Sequence, residues 1–126
     1  MAAFDWQQFL TLAEELHTSQ IINLPKEASE RSAISRAYYA AFHAALDFAD
    51  DKGYNPKFTG DDHADVREYI DQISTDISTD LGRLHKSRCN ADYDNRLETE
   101  PARMAAKALA TAKRIITQIE ILTQFQ

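Results

Sequence analysis

Hydrophobic residues recur at alternating steps of three and four in several stretches of this chain, a spacing that places them on one face of an α-helix. The clearest stretch lies near the C-terminus, with Thr99 as a candidate N-cap and Pro101 in the first turn. Its apolar positions are Ala105, Ala108, Ala112, Ile115, Ile119 and Leu122. This pattern predicts a long final helix that packs as in a bundle or a coiled coil.

Two further helices are predicted in the first half of the chain. Apolar spacing predicts a first helix over about residues 4–18. A second, long helix should begin after Pro25, because proline is tolerated in the first turn of a helix, and should extend to about Asp50. The glycines and prolines of the next segment, "DDKGYNPKFTGDD", indicate the longest loop.

The stretch after this loop has a helical pattern that contains signals for a break. It starts at about Asp62, and its spaced apolar residues are Val66, Ile70, Ile73, Ile77, Leu81 and Leu84. The segment "STDISTDLG" supplies several candidate N-caps and Gly82, which favour two helices with a break near Ser78. The whole chain is therefore predicted to form four or five helices.

Composition supports this prediction and limits the possible functions. The 126 residues contain three glycines and three prolines, so the helix-forming segments are rarely interrupted, and we predict an all-α fold in one domain over residues 1–126. The net charge of −6 argues against tight nonspecific binding of polyanions by the whole surface. A single cysteine, an N-terminus unlike a secretory signal and no apolar run of about 20 residues predict a cytoplasmic protein without membrane contact.

The predicted second helix, around "RSAISRAYYAAFHAALDFADD", combines small residues with polar ones. Its alanines would let a neighbouring helix come close. Arg36, Tyr39, His43 and Asp47 share one stripe, since they are separated by three or four residues. Such a stripe is usually a solvated face, with His43 and Asp47 as an i,i+4 pair, but it could also line a cleft.

A second polar segment, "LGRLHKSRCNADYDNRL", has the residue types that bind or cleave a phosphodiester. Its helical part should expose Arg83, His85, Lys86 and Arg88, before a turn that contains Asn90, Asp92 and Asp94. Arginine has a planar fork that suits phosphate, and histidine exchanges protons near neutral pH.

Together, "RSAISRAYYAAFHAA" and "LGRLHKSRCNADYD" resemble the two motifs of the HEPN superfamily, and "DDHADVREYI" resembles the segment between them. The resemblance covers nearly the whole chain. It implies an antiparallel four- or five-helix bundle, HEPN-like, that forms a homodimer with a cleft at the interface. It further implies RNA or a nucleotide as ligand, no cofactor or metal, and a nucleotidyltransferase-type antitoxin partner in a toxin-antitoxin or defence-type system. Many members are metal-independent ribonucleases.

The chain departs from the usual motif of that family. When Tyr93 is set on the motif tyrosine, Ala91 takes the place of the histidine and Lys86 that of the arginine, so "RCNADYD" matches the branch that ends in Ala-Asp-Tyr. The candidates for catalysis are Arg88, His85 and Tyr93. The candidates for a binding cleft are Arg36, Tyr39, His43, Arg83, Lys86, Asn90 and Asp92.

Two functions stay open on this basis. The missing motif histidine and the acidic total favour a module that binds a nucleotide, RNA or a partner without turnover. The basic segment allows a metal-independent endoribonuclease that acts at a dimer cleft. A purely structural role is equally compatible, in which Asp92 caps a helix or pairs with Arg36 or Arg88 and Tyr93 packs in the interior.

Two other segments have simpler interpretations. "DDHAD" places His63 among carboxylates, but Asp61 and Asp62 stand where helix N-caps belong, and His63 lacks a second nitrogen or sulfur ligand. Capping is therefore predicted there, and no metal site. Cys89 lies beside Arg88 without a Cys-His-acid arrangement, which favours a small buried thiol over a nucleophile.

Overall fold

A computed structural model describes residues 3–125 and shows five helices without strands in this part of the chain. The helices are α1 (Gln8–Thr18), α2 (Lys26–Asp51), α3 (Asp62–Asp71), α4 (Thr75–Tyr93) and α5 (Pro101–Gln124). The predicted all-α bundle is thereby confirmed. Within residues 3–125, no helix combines the length and the apolar character needed to cross a membrane.

Helix α2 is the central element, because it contacts each of the other four helices. Its alanines make this possible: Ala33, Ala37, Ala41 and Ala45 are fully buried. A methyl side chain allows the neighbouring helix axes to lie close together, as the alanines of this segment predicted. Tyr38, which lies between these alanines in sequence, is also fully buried.

Helix α5 packs along the face that its apolar pattern predicted. Its spaced residues Ala105, Ala108, Ala112, Ile115 and Ile119 are buried, and Leu122 packs partly against the core. Pro101 occupies the first helical position, as expected, since its missing N–H needs no partner there.

The predicted cap of α5 was wrong by one residue. Glu100, and not Thr99, is the N-cap, and its carboxylate accepts hydrogen bonds from the backbone N–H groups of Ala102 and Arg103 at 3.2 and 3.1 Å. The longer glutamate side chain reaches two of the N–H groups that every helix leaves unpaired in its first turn.

The first helix begins later than the apolar pattern predicted. It starts at Gln8 rather than at about residue 4, because the Asp5 carboxylate accepts a hydrogen bond from the Gln7 N–H at 3.0 Å and closes a local turn. The aromatic rings of Phe4, Trp6 and Phe9 contact one another at this end.

The break between α3 and α4 lies before the predicted position. Ser74 is the N-cap of α4, with an extended backbone and a hydroxyl that accepts from the Ile77 N–H at 3.3 Å. Ser78 is helical instead, and its hydroxyl donates to the Arg67 carbonyl at 2.9 Å, which ties α4 to α3. Two helices were correctly favoured, but the break near Ser78 was wrong.

Helix α4 also continues through the segment where a turn was predicted. Asn90 and Asp92 are helical, and the helix ends at Tyr93. Arg31 of α2 supports this end, because its guanidinium donates to the backbone carbonyls of Ala91 at 3.1 Å and Asp94 at 2.5 Å. Since these last carbonyls have no partner within the helix, an arginine from a neighbouring helix replaces the missing donors.

Candidate functional site

A cluster of polar side chains lies where α2, α3 and α4 meet. We call it the Arg-His cluster; its members are Tyr38 and Tyr39 from α2, His63 and Arg67 from α3, and His85, Arg88 and Cys89 from α4. The rings of His63 and His85 are 5.4 Å apart between centroids. Most of these side chains are half-buried, so the cluster borders the protein surface.

Tyr38 forms a hydrogen bond with His63. The Tyr38 hydroxyl lies 2.5 Å from His63 Nδ1, and burial raises the pKa of this hydroxyl above its usual range. The phenol is therefore protonated, and within residues 3–125 it has no other hydrogen-bond partner than Nδ1. This hydrogen bond holds the His63 ring beside Tyr38.

Arg88 is a nearly buried cation with incomplete compensation. Its side chain is 9% exposed, and its guanidinium carbon lies 5.4 Å from the ring centroids of both Tyr38 and Tyr39. The carboxylate of Asp92 is 3.6 Å from Arg88 Nη1, too long for a good hydrogen bond. Within residues 3–125 the buried Nε has no hydrogen-bond partner. Arg88 thus retains donor capacity that a buried group normally satisfies.

Arg67 supplies a second positive charge from α3. Its Nη1 donates to the backbone carbonyl of His63 at 2.9 Å, and its chain passes beside Gly82 of α4. No carboxylate within residues 3–125 forms an ion pair with Arg67. The Arg-His cluster therefore contains two guanidinium groups. Within residues 3–125, Arg88 forms an ion pair with a carboxylate and Arg67 does not.

Both histidines of the cluster are neutral at physiological pH. Burial, followed by the charges of Arg67 and Arg88 and the neighbouring His63, lowers the pKa of His85 to about 4. Burial and the same two arginines also lower the pKa of His63. Cys89 Sγ lies 3.8 Å from His85 Nε2, which is a weak contact.

These groups together favour an anion. Arg67 and Arg88 supply charge, and within residues 3–125 Asp92 is the one carboxylate that forms an ion pair with Arg88. Guanidinium groups bind phosphate through paired hydrogen bonds, which are strongest where water is partly excluded. The Arg-His cluster therefore has the chemistry of a phosphate-binding site.

The polar stripe of α2 lies at the border of this cluster. The Arg36 guanidinium packs over the rings of Phe9 and Tyr39, at 4.7 and 5.3 Å, and donates to the Ser35 hydroxyl at 3.3 Å. Ser35 in turn donates to Asp92 at 3.3 Å. Asp92 thus pairs with Arg88 and contacts Arg36 only through Ser35.

His43 lies further along α2 and is covered by the N-terminal segment. Its ring stacks on Trp6 with 3.5 Å between centroids, and burial with the nearby His63 lowers its pKa. The predicted pairing of His43 with Asp47 is absent from the hydrogen bonds and ion pairs of residues 3–125. Much of the Asp47 side chain is exposed. Loss of water around its buried part, followed by the negative charges of Asp51 and Asp50, raises the pKa of its carboxyl.

The other residues predicted for a single cleft divide between two surfaces. Tyr39 belongs to the Arg-His cluster and Asp92 borders it, whereas Lys86 and Asn90 lie in a groove between α4 and α5, and Arg83 lies further along that groove. They separate because α4 is helical throughout, so successive residues point to different sides. Tyr93 is 74% exposed, which rules out the predicted alternative that it packs in the interior.

Sequence reasoning missed four members of the cluster, which are Tyr38, His63, Arg67 and Cys89. Cys89 was interpreted as a small buried thiol and His63 as part of a capped helix start, and no site role was predicted for Tyr38 or Arg67. The separation of His63 and Arg67 by four residues is a usable signal, since it puts both on one face of α3. Their partner helix could not be known from that spacing. No group of three or more residues suited to a metal exists within residues 3–125.

The structure defines the class of protein as a five-helix bundle with a half-buried arginine and histidine cluster. No protein-family model matches the sequence, and no curated protein or solved structure is similar enough to count as a match.

Acidification is expected to weaken the fold through His85. Because the pKa of His85 is lowered from 6.5 to about 4 in the folded protein, the unfolded chain binds the extra proton first, and stability is lost as pH falls through this window. His85→Gln should reduce this loss by about 1–2 kcal/mol, a value that allows for the partial exposure of the ring. Urea unfolding at several pH values measures it; equal pH dependence in both proteins would contradict the role of His85.

Proposed function

We propose that this protein is a HEPN-like module that binds RNA, or a nucleotide, through a phosphate group held at the Arg-His cluster. The observation that carries the proposal is Arg88, a nearly buried cation whose Nε lacks a partner within residues 3–125 and whose carboxylate neighbour Asp92 is 3.6 Å away. A phosphate oxygen would satisfy this donor and offset the buried charge.

The surroundings of Arg88 support an anionic ligand. Arg67 adds a second guanidinium without an ion pair within residues 3–125, whereas the two histidines are neutral and add no charge. Tyr39 offers an aromatic ring at the edge of the cluster, in contact with both Arg36 and Arg88. A base stacked at this edge would be a natural extension of a bound phosphate.

A metal-independent ribonuclease is the second candidate, and the position of neutral histidines beside two arginines favours it. A histidine nitrogen would take the proton of a ribose 2'-hydroxyl as that oxygen attacks the adjacent phosphorus, while Arg67 and Arg88 stabilise the charged intermediate. The bond from phosphorus to the 5'-oxygen then breaks, the leaving 5'-oxygen takes a proton from the protonated histidine or from water, and a 2',3'-cyclic phosphate remains. The pKa of about 4 makes His85 a weak base, however. Binding without turnover is therefore the function that we prefer.

The family resemblance extends the proposal to assembly. We infer a cytoplasmic homodimer that places two copies of the Arg-His cluster at one interface, and a nucleotidyltransferase-type protein as partner in a toxin-antitoxin or defence-type system. The exposed ring of Tyr93, next to Asp92 at the end of α4, supports a contact at this end of the bundle.

Arg88→Gln and Arg67→Gln are each expected to weaken binding of a dinucleoside monophosphate at least about 10-fold, because each removes a charge-assisted hydrogen bond to phosphate. The matched control is Lys52→Gln, which removes the same charge from an exposed position at the end of α2. Calorimetric titration of folded variants measures the effect. An equal affinity in Arg88→Gln, Arg67→Gln and Lys52→Gln would disprove the proposed site.

The same proteins separate binding from cleavage. Labelled RNA is incubated with wild type and His85→Gln in the presence of chelator. Intact RNA would support binding without turnover. Cleavage by the wild type that is lost in His85→Gln would reject that function in favour of the ribonuclease.

A further inference from the structure

A groove between α4 and α5 forms a concave surface away from the Arg-His cluster. It has a volume of about 600 Å³, within the range of ligand sites. Its wall from α4 contains Lys86, Ser87 and Asn90, and its wall from α5 contains Arg103 and Lys107. We call it the α4-α5 groove.

The α4-α5 groove concentrates cations that have no ion-pair partner. Lys86, Arg96, Arg103 and Lys107 all line it, and none of them forms a salt bridge within residues 3–125. Its lining contains two carboxylates, Asp94 and Glu98. The charge of the lining is therefore 4 − 2 = +2, on a protein whose net charge is −6. Such a reversal of sign attracts an anion to this location.

The positive lining continues along the two helices. A neighbouring section shares Lys86 and Lys107 with the first and adds Arg83 and Arg114. Both added arginines contact Asp80, which neutralises part of their charge. From Arg103 to Arg114 the helix rises by about 16 Å. The groove is thus a basic track, rather than a point site for a single small anion.

The uncharged lining indicates which polyanion fits. Ser87, Asn90 and Thr99 provide hydrogen-bond donors for phosphate oxygens, and no aromatic residue lines either section. Bases therefore have nothing to stack on, and recognition would rely on the backbone alone. Met104 and Leu97 are the main apolar groups of the larger section, too little for the apolar centre of a protein interface.

We infer that the α4-α5 groove binds the sugar-phosphate backbone of an RNA strand without regard to sequence. This inference rests on the proposed function, since it makes the groove a second contact for the same RNA. The α4-α5 groove would add affinity for long strands. A dinucleotide held at the Arg-His cluster would not reach this groove, because Arg88 and Lys86 point to different sides of α4.

The test uses Lys86→Gln with Lys107→Gln in one protein, because both lysines are exposed and their loss should not unfold it. We expect affinity for a long single-stranded RNA to fall about 10-fold and the slope of log K against log salt to decrease by about 1.4, the same for uridine-only and adenosine-only strands. The control is Lys26→Gln with Lys52→Gln, which removes two other exposed lysines.

Equal affinity and salt slope in the two double variants would overturn the inference that the α4-α5 groove binds RNA. A loss of affinity confined to one of the two strand sequences would also overturn it. Dinucleoside monophosphate binding reports separately on the Arg-His cluster: it should be unchanged in the groove variant and weakened in Arg88→Gln. A loss for the long strand alone therefore supports the groove even if the dinucleotide experiment rejects the proposed function. Binding of an acidic polypeptide, with no RNA binding by the wild type, would reject both.

Discussion

Asp62→Ala is expected to lower the free energy of unfolding by about 3 kcal/mol, because this carboxylate at the start of α3 is buried and accepts three hydrogen bonds. Asp62 is 2% exposed. Its carboxylate accepts hydrogen bonds from the backbone N–H groups of Lys57 at 3.1 Å and Phe58 at 2.7 Å, and from the Tyr54 hydroxyl. Alanine would leave these three donors without an acceptor, which is more costly than the loss of the bonds alone.

The neighbouring Asp61 provides a matched control. It occupies the N-cap position of α3 but its side chain makes no capping hydrogen bond, and it is exposed. Asp61→Ala should therefore cost less than about 0.5 kcal/mol. Urea unfolding of both variants at neutral pH measures the difference, and a similar midpoint for both would contradict the anchoring role of Asp62.

Asp62 also gives this loop a predictable pH dependence. Burial by itself would raise the pKa of its carboxyl, but the hydrogen bonds from Tyr54, Lys57 and Phe58 outweigh burial and lower it. The stabilisation is therefore present above the ordinary aspartate pKa and is lost as pH falls below it. Because α3 begins at Asp62, the same anchor positions His63 and Arg67 in the Arg-His cluster.

Ile115→Ala is expected to lower the free energy of unfolding by about 3–4 kcal/mol. Ile115 is fully buried at the centre of α5, and α5 contacts α1, α2 and α4. Removal of three carbon atoms there loses their transfer free energy and leaves a cavity that the close-packed helices cannot fill.

Ile121→Ala is the control for this second prediction, since it makes the same chemical change in the same helix at a side chain that is 47% exposed. We expect a loss below about 1 kcal/mol, because less apolar surface returns to water and no cavity forms. Thermal and urea unfolding of the two variants measure the contrast. Equal losses would mean that α5 contributes to stability by helix propensity rather than by packing.

These two residues differ in how far the sequence could predict them. Ile115 belongs to a run of apolar positions spaced by three and four, and the structure buries the run as predicted. Asp61 and Asp62 are adjacent, identical in type and both in the usual place for a helix cap. Only the path of the preceding loop decides that Asp62 accepts its N–H groups while Asp61 faces water.

The Arg-His cluster shows the same division. Arg88 and His85 were predicted as functional residues from their chemistry, because arginine and histidine stood together in one basic segment. The inclusion of Tyr38, His63 and Arg67 could not be predicted, since they come from two other helices and meet Arg88 only when α2, α3 and α4 pack.

The amino-acid sequence by itself determined the helical class, the central alanine-rich helix and the buried face of α5. These properties depend on local propensity and on a repeat near 3.6 residues, which every segment carries in its own sequence. Tertiary structure alone decided which of two adjacent aspartates is buried, which histidine meets Arg88, and that Lys86 lies on another side of α4. Such choices depend on contacts between residues distant in the chain, for which local periodicity holds no information.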